Sequence, residues 1–190
     1  MKLWTINGIQ LVCKKTSTFY HSAFMMKYLL NALMLGFISC TKTQEDNDTI
    51  SNRDFVLQAS MENNAEIDFS SLAAKKAMDE GVRAFAEKTG DYHATAHAQL
   101  RGLAIGLNLF APDSLDAEHV TLRNRLLDLS GRAFDSLYIY TRVQDYQQAI
   151  ELFFEEAISG QSVELRDYAA SGLTQLEAYL HQADSLANRY

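Results

Sequence analysis

The sequence predicts an all-α protein, a four-helix bundle with an extra short helix in the middle crossover. Three observations predict it. Downstream of Asn52, apolar residues recur at steps of three and four; Pro112 is the only proline in 190 residues; and no stretch of useful length alternates as a strand would. The first helix is expected over about Arg53 to Lys76, with Phe55, Ala59, Glu66, Phe69 and Ala73 on one stripe. The second covers about Glu80 to Leu107 through Val82, Phe85, Thr89, His93, Ala96, Leu100 and Leu103. After the turn Phe110-Ala111-Pro112-Asp113-Ser114, a short helix covers about Ala117 to Leu129, and Ser130-Gly131 breaks it. The third long helix covers about Ala133 to Ser159, with Phe134, Tyr138, Thr141, Ala149, Leu152 and Phe153 inward, and Gly160 closes it. The fourth, about Val163 to Asn188, carries Leu165, Tyr168, Ala169, Gly172, Leu176, Tyr179, Ala183 and Leu186. Short links within each pair and a long link between them predict two antiparallel hairpins.

Ahead of the helices lies a different kind of sequence. Lys27 precedes an apolar run from Tyr28 to Ile38, and Phe37-Ile38-Ser39-Cys40 resembles a lipobox, with a small residue directly before the cysteine. The run is about eleven residues and includes Asn31, whereas crossing a bilayer as a helix takes about twenty. Residues 25–40 therefore read as a lipoprotein signal peptide, with Cys40 the site of lipidation and the link to the membrane. The other readings of that run are a plain N-terminal membrane anchor and a buried core segment. Residues 1–24 exceed any ordinary basic start of a signal and read as a non-native extension before Met25 or Met26. Residues 41–51 are polar, carry Glu45, Asp46 and Asp48, and read as a disordered tether. Residues 52–190 form the folded domain, which has the length for one proper core. The address implied is the bacterial cell envelope, at the outer membrane on its periplasmic or surface side.

Charge divides at Cys40. Lys2, Lys14, Lys15 and Lys27 stand before it with no acidic residue, so the part after it is more acidic than the net charge of −7 indicates. That balance argues against nucleic acid as a partner. Both cysteines, Cys13 and Cys40, precede the domain, which leaves it no thiol for a disulfide, a metal or a nucleophile. No Gly-x-Ser-x-Gly elbow, no Gly-x-Gly pair and no Glu-x-x-His pair occurs. A protein partner is not legible.

Five polar residues stand at mid-length of the predicted stripes: Glu66, His93, Asp145, Tyr146 and Tyr179. Glu66 lies seven residues from both Ala59 and Ala73, and His93 three before Ala96. Counted from the intervening turn, the two are offset by roughly 7 Å at 1.5 Å per residue, within side-chain reach. The five are expected to form one buried hydrogen-bonded cluster with no cofactor, since buried polar groups are normally satisfied. The alternative is a single divalent metal ion held by Glu66, His93, His97 and Asp145, with His93 and His97 at the i, i+4 spacing that shares one face. Glu66→Gln is expected to cost little, and Glu66→Leu to stabilise if the burial of the carboxyl is a net penalty.

The segments Asn52-Arg53-Asp54-Phe55-Val56, Ala65-Glu66-Ile67, Ser130-Gly131-Arg132-Ala133-Phe134-Asp135 and Gln147-Gln148-Ala149-Ile150-Glu151-Leu152-Phe153 resemble an exported, ferritin-like bacterial family, domain of unknown function 4142, of outer-membrane proteins or lipoproteins. The resemblance covers about Asn52 to Ala187. It implies a ferritin-like fold, a family Glu at Glu66 and a family Asp-His pair whose His is His93, with Tyr92 at the Asp position. The further family histidines of helices three and four correspond to Tyr146, after the retained Asp145, and to Tyr179, after Leu173-Thr174-Gln175-Leu176. Phenols are poor ligands for divalent metals but good hydrogen-bonding partners. The resemblance thus implies a binding or structural envelope module, more so than an enzyme. The rival is a metal-binding or redox and stress protein that uses Glu66 and His93.

Overall fold

The computed structural model describes residues 50–190. The leader, Cys40 and most of the expected tether lie outside the described residues. Five helices follow in order, α1 Asn52–Lys76, α2 Glu80–Gly106, α3 Ala117–Asp128, α4 Gly131–Ser159 and α5 Val163–Ala187, with no strand among the described residues. The starts of α1, α2, α3 and α5 follow local chemistry, because a side-chain oxygen before each satisfies amides that the first turn leaves unpaired. Ser51 Oγ accepts from Asp54 N, Asp79 Oδ1 from Gly81 N and Val82 N, Asp116 Oδ1 from His119 N, and Ser162 Oγ from Leu165 N. The cap residue Ser51 and half-buried Ile50, packed against the core, belong to the domain, so the expected tether ends before them.

Two contacts fix the helix directions. Asp135 at the start of α4 accepts from Met78 N and Asp79 N in the α1–α2 turn, at 3.0 and 2.7 Å. At the other end, Ser162 N donates to Asn52 Oδ1, which places the start of α5 beside the start of α1. Helix α4 therefore runs antiparallel to α1 and parallel to α2, and the link from α2 to α4 travels the length of the bundle. This is the ferritin-like arrangement with one long crossover. The end where α1 begins is called the near end below.

The two hairpins, α1 with α2 and α4 with α5, stack so that α1 meets α4 and α2 meets α5. Phe55, Val56, Phe69, Val82, Leu100, Phe134, Tyr138, Leu165 and Leu176 fill the interior. Helix α3 lies along α1 and α4. It buries Leu126, its carbonyls at Leu126 and Leu127 accept from Lys76 Nζ, and Arg123 pairs with Asp68 at 2.8 Å. No described helix is long and apolar enough to cross a membrane.

Candidate functional site

The helical period carries one polar residue from each long helix to mid-length, where the four meet. On α4, Tyr138, Arg142 and Tyr146 fall four residues apart, so all three face inward on one stripe. Arg142 is fully buried. Its Nη1 donates to Glu66 Oε1 on α1, its Nη2 donates to Asp145 Oδ2 at 2.5 Å, and its plane lies over Phe69 at 4.6 Å and Tyr138 at 5.6 Å. Burial works against the charge of this group, and Glu66 and Asp145 overcome that and hold the guanidinium firmly ionised.

A chain of hydrogen bonds leads away from Glu66 through all four long helices. The Tyr146 hydroxyl on α4 lies 3.3 Å from Glu66 Oε2 and 3.3 Å from His93 Nε2 on α2. His93 Nδ1 is 2.8 Å from Asn63 Oδ1, Asn63 Nδ2 donates to the Tyr168 hydroxyl of α5, and that hydroxyl donates to Ala96 O. The donor count decides the protonation pattern. With Asn63 Nδ2 committed to Tyr168, Asn63 Oδ1 must accept from His93 Nδ1–H, which leaves Nε2 needing a donor. The Tyr146 hydroxyl stands beside that nitrogen and donates to Glu66 Oε2.

Burial raises the Glu66 carboxyl above its ordinary value, opposed by Arg142 and Tyr146. Burial, together with Arg142, pushes the His93 imidazole down to about 3, so it stays neutral. Burial also raises Tyr146 well above its ordinary value and Tyr138 to about 12. Glu62, one turn before Glu66, is pushed up to about 8 by burial, with Asp145 and Glu66 adding to the effect. It lines a cleft of about 520 Å³ between α3, α1 and α4, together with Asp116, His119, Arg125 and Asp145. It also lines an interior gap of about 10 Å³ beside Asn63 and His93, the space of one water molecule.

Glu66, His93, Asp145, Tyr146 and Tyr179 thus lie together, though Tyr179 joins by ring contact: it stands 5.3 Å from Tyr92, 5.8 Å from Tyr146 and 6.4 Å from His93. The alternative metal set is not assembled. His97 turns to the crossover, where its Nε2 meets Asp113 Oδ1 at 2.9 Å, and the guanidinium of Arg142 lies between Glu66 and Asp145. Among the described residues, no three His, Cys, Asp or Glu side chains are grouped to hold a metal ion. The residues present do not fit such a centre.

Sequence reading missed Arg142, Asn63 and Glu62, and took Thr141 as the inward residue where Arg142 is. The signal was present, since Arg142 stands four residues from both Tyr138 and Tyr146. The expectation that Glu66→Leu stabilises is corrected for the same reason, because leucine would strip one partner from a buried guanidinium.

Solved structures with the same fold include a DUF305 fragment from Deinococcus radiodurans, 11% identical with a TM-score of 0.63, matched over 72% of this chain and 94% of that one. A DUF305 protein from Streptomyces coelicolor, described as secreted, is 16% identical with a TM-score of 0.61, matched over 73% of this chain and 94% of that one. No curated protein matches the chain. The profile of the family described as domain of unknown function (DUF4142) matches residues 39–186, nearly the whole described domain and the stretch 39–49 ahead of it. On that match, the chain belongs to the DUF4142 family.

Proposed function

We propose that this protein is a lipid-anchored helical module of the bacterial cell envelope, held through Cys40 at the outer membrane, which acts by binding or by structural support and not as an enzyme. The observation that carries the reading is the pairing of the interior polar groups with one another. Arg142 takes Glu66 and Asp145, and Tyr146, His93, Asn63 and Tyr168 complete one closed chain, so these central groups are committed to one another. The lipobox at Phe37 to Cys40 and the similarity to a DUF305 protein described as secreted support the address.

The rival, a metal-binding or redox and stress protein working through Glu66 and His93, requires Glu66 to leave Arg142. Two measurements on protein purified from membranes separate the readings. Mass spectrometry is expected to find a diacylglyceryl thioether on an N-terminal Cys40, and an unlipidated N-terminus upstream of it would remove the anchor. Metal analysis is expected to find none at stoichiometric level. Iron, manganese or zinc at one per chain, lost in Glu66→Ala, would establish the rival.

A further inference from the structure

Five of the nine exposed large apolar side chains of the described residues, the three most exposed among them, gather at one end of the bundle. Phe110, Ile105 and Ile158 are 77%, 74% and 67% exposed, and Val163 and Phe154 are each 56% exposed. Ile105 ends α2, Phe110 follows it, Phe154 and Ile158 lie in the last two turns of α4, and Val163 opens α5. All five belong to the near end. The remaining exposed apolar side chains, Met78, Val120, Leu127 and Tyr140, are scattered along the rest of the bundle, as single surface hydrophobes commonly are. Helices α2 and α4 occupy opposite corners, so a flat surface reaches all five only by meeting the bundle end-on.

We propose that this end is a lipid-docking surface, and that the domain seats upright on a zwitterionic bilayer through Ile105, Phe110, Phe154, Ile158 and Val163. The proposal rests on the anchored reading above. Nine residues, or ten Cα-to-Cα steps, separate Cys40 from Ile50, a reach of at most about 36 Å in any conformation, and Ile50 packs at this same end beside Leu152. The far end lies on the order of 40 Å away along the 29 residues of α4. A lipid on Cys40 would therefore present the near end to the bilayer at an effective concentration on the millimolar scale, where weak apolar insertion suffices. Charge selects the lipid class. Acidic residues, Glu151, Glu155 and Glu164 among them, outnumber arginines at this end, and all three lysines of the described residues, Lys75, Lys76 and Lys88, lie in the far half. An anionic leaflet is thus disfavoured.

Because Trp4 is the only tryptophan and precedes Cys40, processed protein is silent to tryptophan probes. Phe110→Trp, Phe154→Trp and, at the far end, Met78→Trp are placed singly in the full chain, and the processed products are reconstituted in phosphatidylcholine vesicles. Brominated acyl chains are expected to quench the first two at least twofold and leave the third unchanged, with weaker quenching when phosphatidylglycerol is included. Quenching equal at all three positions, or absent from all, overturns the proposal. Protection of positions 110 and 154 from both bromolipid and acrylamide, with a doubled hydrodynamic mass, also overturns it and assigns the surface to a second copy of the chain. Mass spectrometry of the same sample separates the two readings. Lipid on Cys40 without quenching sinks the docking surface alone, quenching without lipid sinks the anchor alone, and the absence of both sinks both.

Discussion

Glu66 and His93 hold the interior through one shared phenolic proton, and each gives that arrangement a measurable consequence. A glutamine at position 66 keeps an acceptor for Arg142 and supplies an N–H for Tyr146, so Glu66→Gln is expected to change unfolding free energy by less than about 1 kcal/mol. Glu66→Leu leaves a buried guanidinium with half its partners and is expected to cost about 3 kcal/mol in denaturant titration. Equal losses in the two variants would show that Glu66 acts on Arg142 by its charge and not as a hydrogen-bond acceptor. The pH dependence follows from the buried groups. Burial pushes Glu62 up to about 8 and Glu156 up to about 7, so what they contribute to stability is complete below about pH 4.5 and is lost as pH rises through 7 to 8. His93, pushed down to about 3, contributes fully above about pH 6.5 and loses that contribution as pH falls toward 3. Two carboxyls outweigh one imidazole where the windows overlap, so the melting temperature is expected to be several degrees higher at pH 5 than at pH 8. Glu62→Gln and Glu156→Gln should each flatten that slope, and a melting temperature that rises toward pH 8 would refute the assignment. Of these groups, Glu66 and His93 were legible because they interrupt apolar stripes. Arg142 and Glu156 were not, since their types are nearly always solvated and only their partners or their neighbours in space explain their burial.

Element boundaries were the most legible feature, because the apolar period and its breaks are local. They marked the starts of α1, α2, α3 and α5 to within a residue, and in the structure Ser51, Asp79, Asp116 and Ser162 accept amides from the turns that follow. Helix α4 begins two residues earlier than the stripe indicated, since Ser130 makes no side-chain cap bond and the start is held instead by Asp135 reaching across to the α1–α2 turn. Such a tie spans more than 50 residues and leaves no local trace. Asp135→Ala is expected to cost about 2 kcal/mol in chemical denaturation, because two amides and the Tyr190 hydroxyl lose their acceptor. Helix α5 approaches α4 closely at Gly172, where an added Cβ would stand 2.9 Å from the buried ring of Phe153. Gly172→Ala is therefore expected to destabilise by about 1–2 kcal/mol despite the better helix propensity of alanine, a shift of a few degrees in a thermal melt. At Gly160 an added Cβ would collide with the Glu156 carboxyl and stand 2.5 Å from the Glu156 carbonyl, so the turn into α5 requires glycine.

At the scale of the whole molecule, the pairing of helices into hairpins was legible from link lengths, whereas the neighbour relations α1 with α4 and α2 with α5 were not. They are set by side chains that meet only in three dimensions. The members of the central hydrogen-bonded chain are divided between the hairpins: Asn63, Glu66 and His93 on the first, Arg142, Tyr146 and Tyr168 on the second. Each half is thus incomplete in a way that only the other corrects. The crossover between Leu107 and Ser130 supplies the covalent path, and its buried apolar anchors are Pro112 and Leu126. A nick near Pro112 would sever that path and leave both hairpins whole, with matching donors and acceptors acting as a key and its lock. The fold consequently carries the makings of a two-fragment complementation pair, in which the reunion of separately supplied halves is selective because a slip by one helical turn would part Arg142 from Glu66 and Tyr146 from His93.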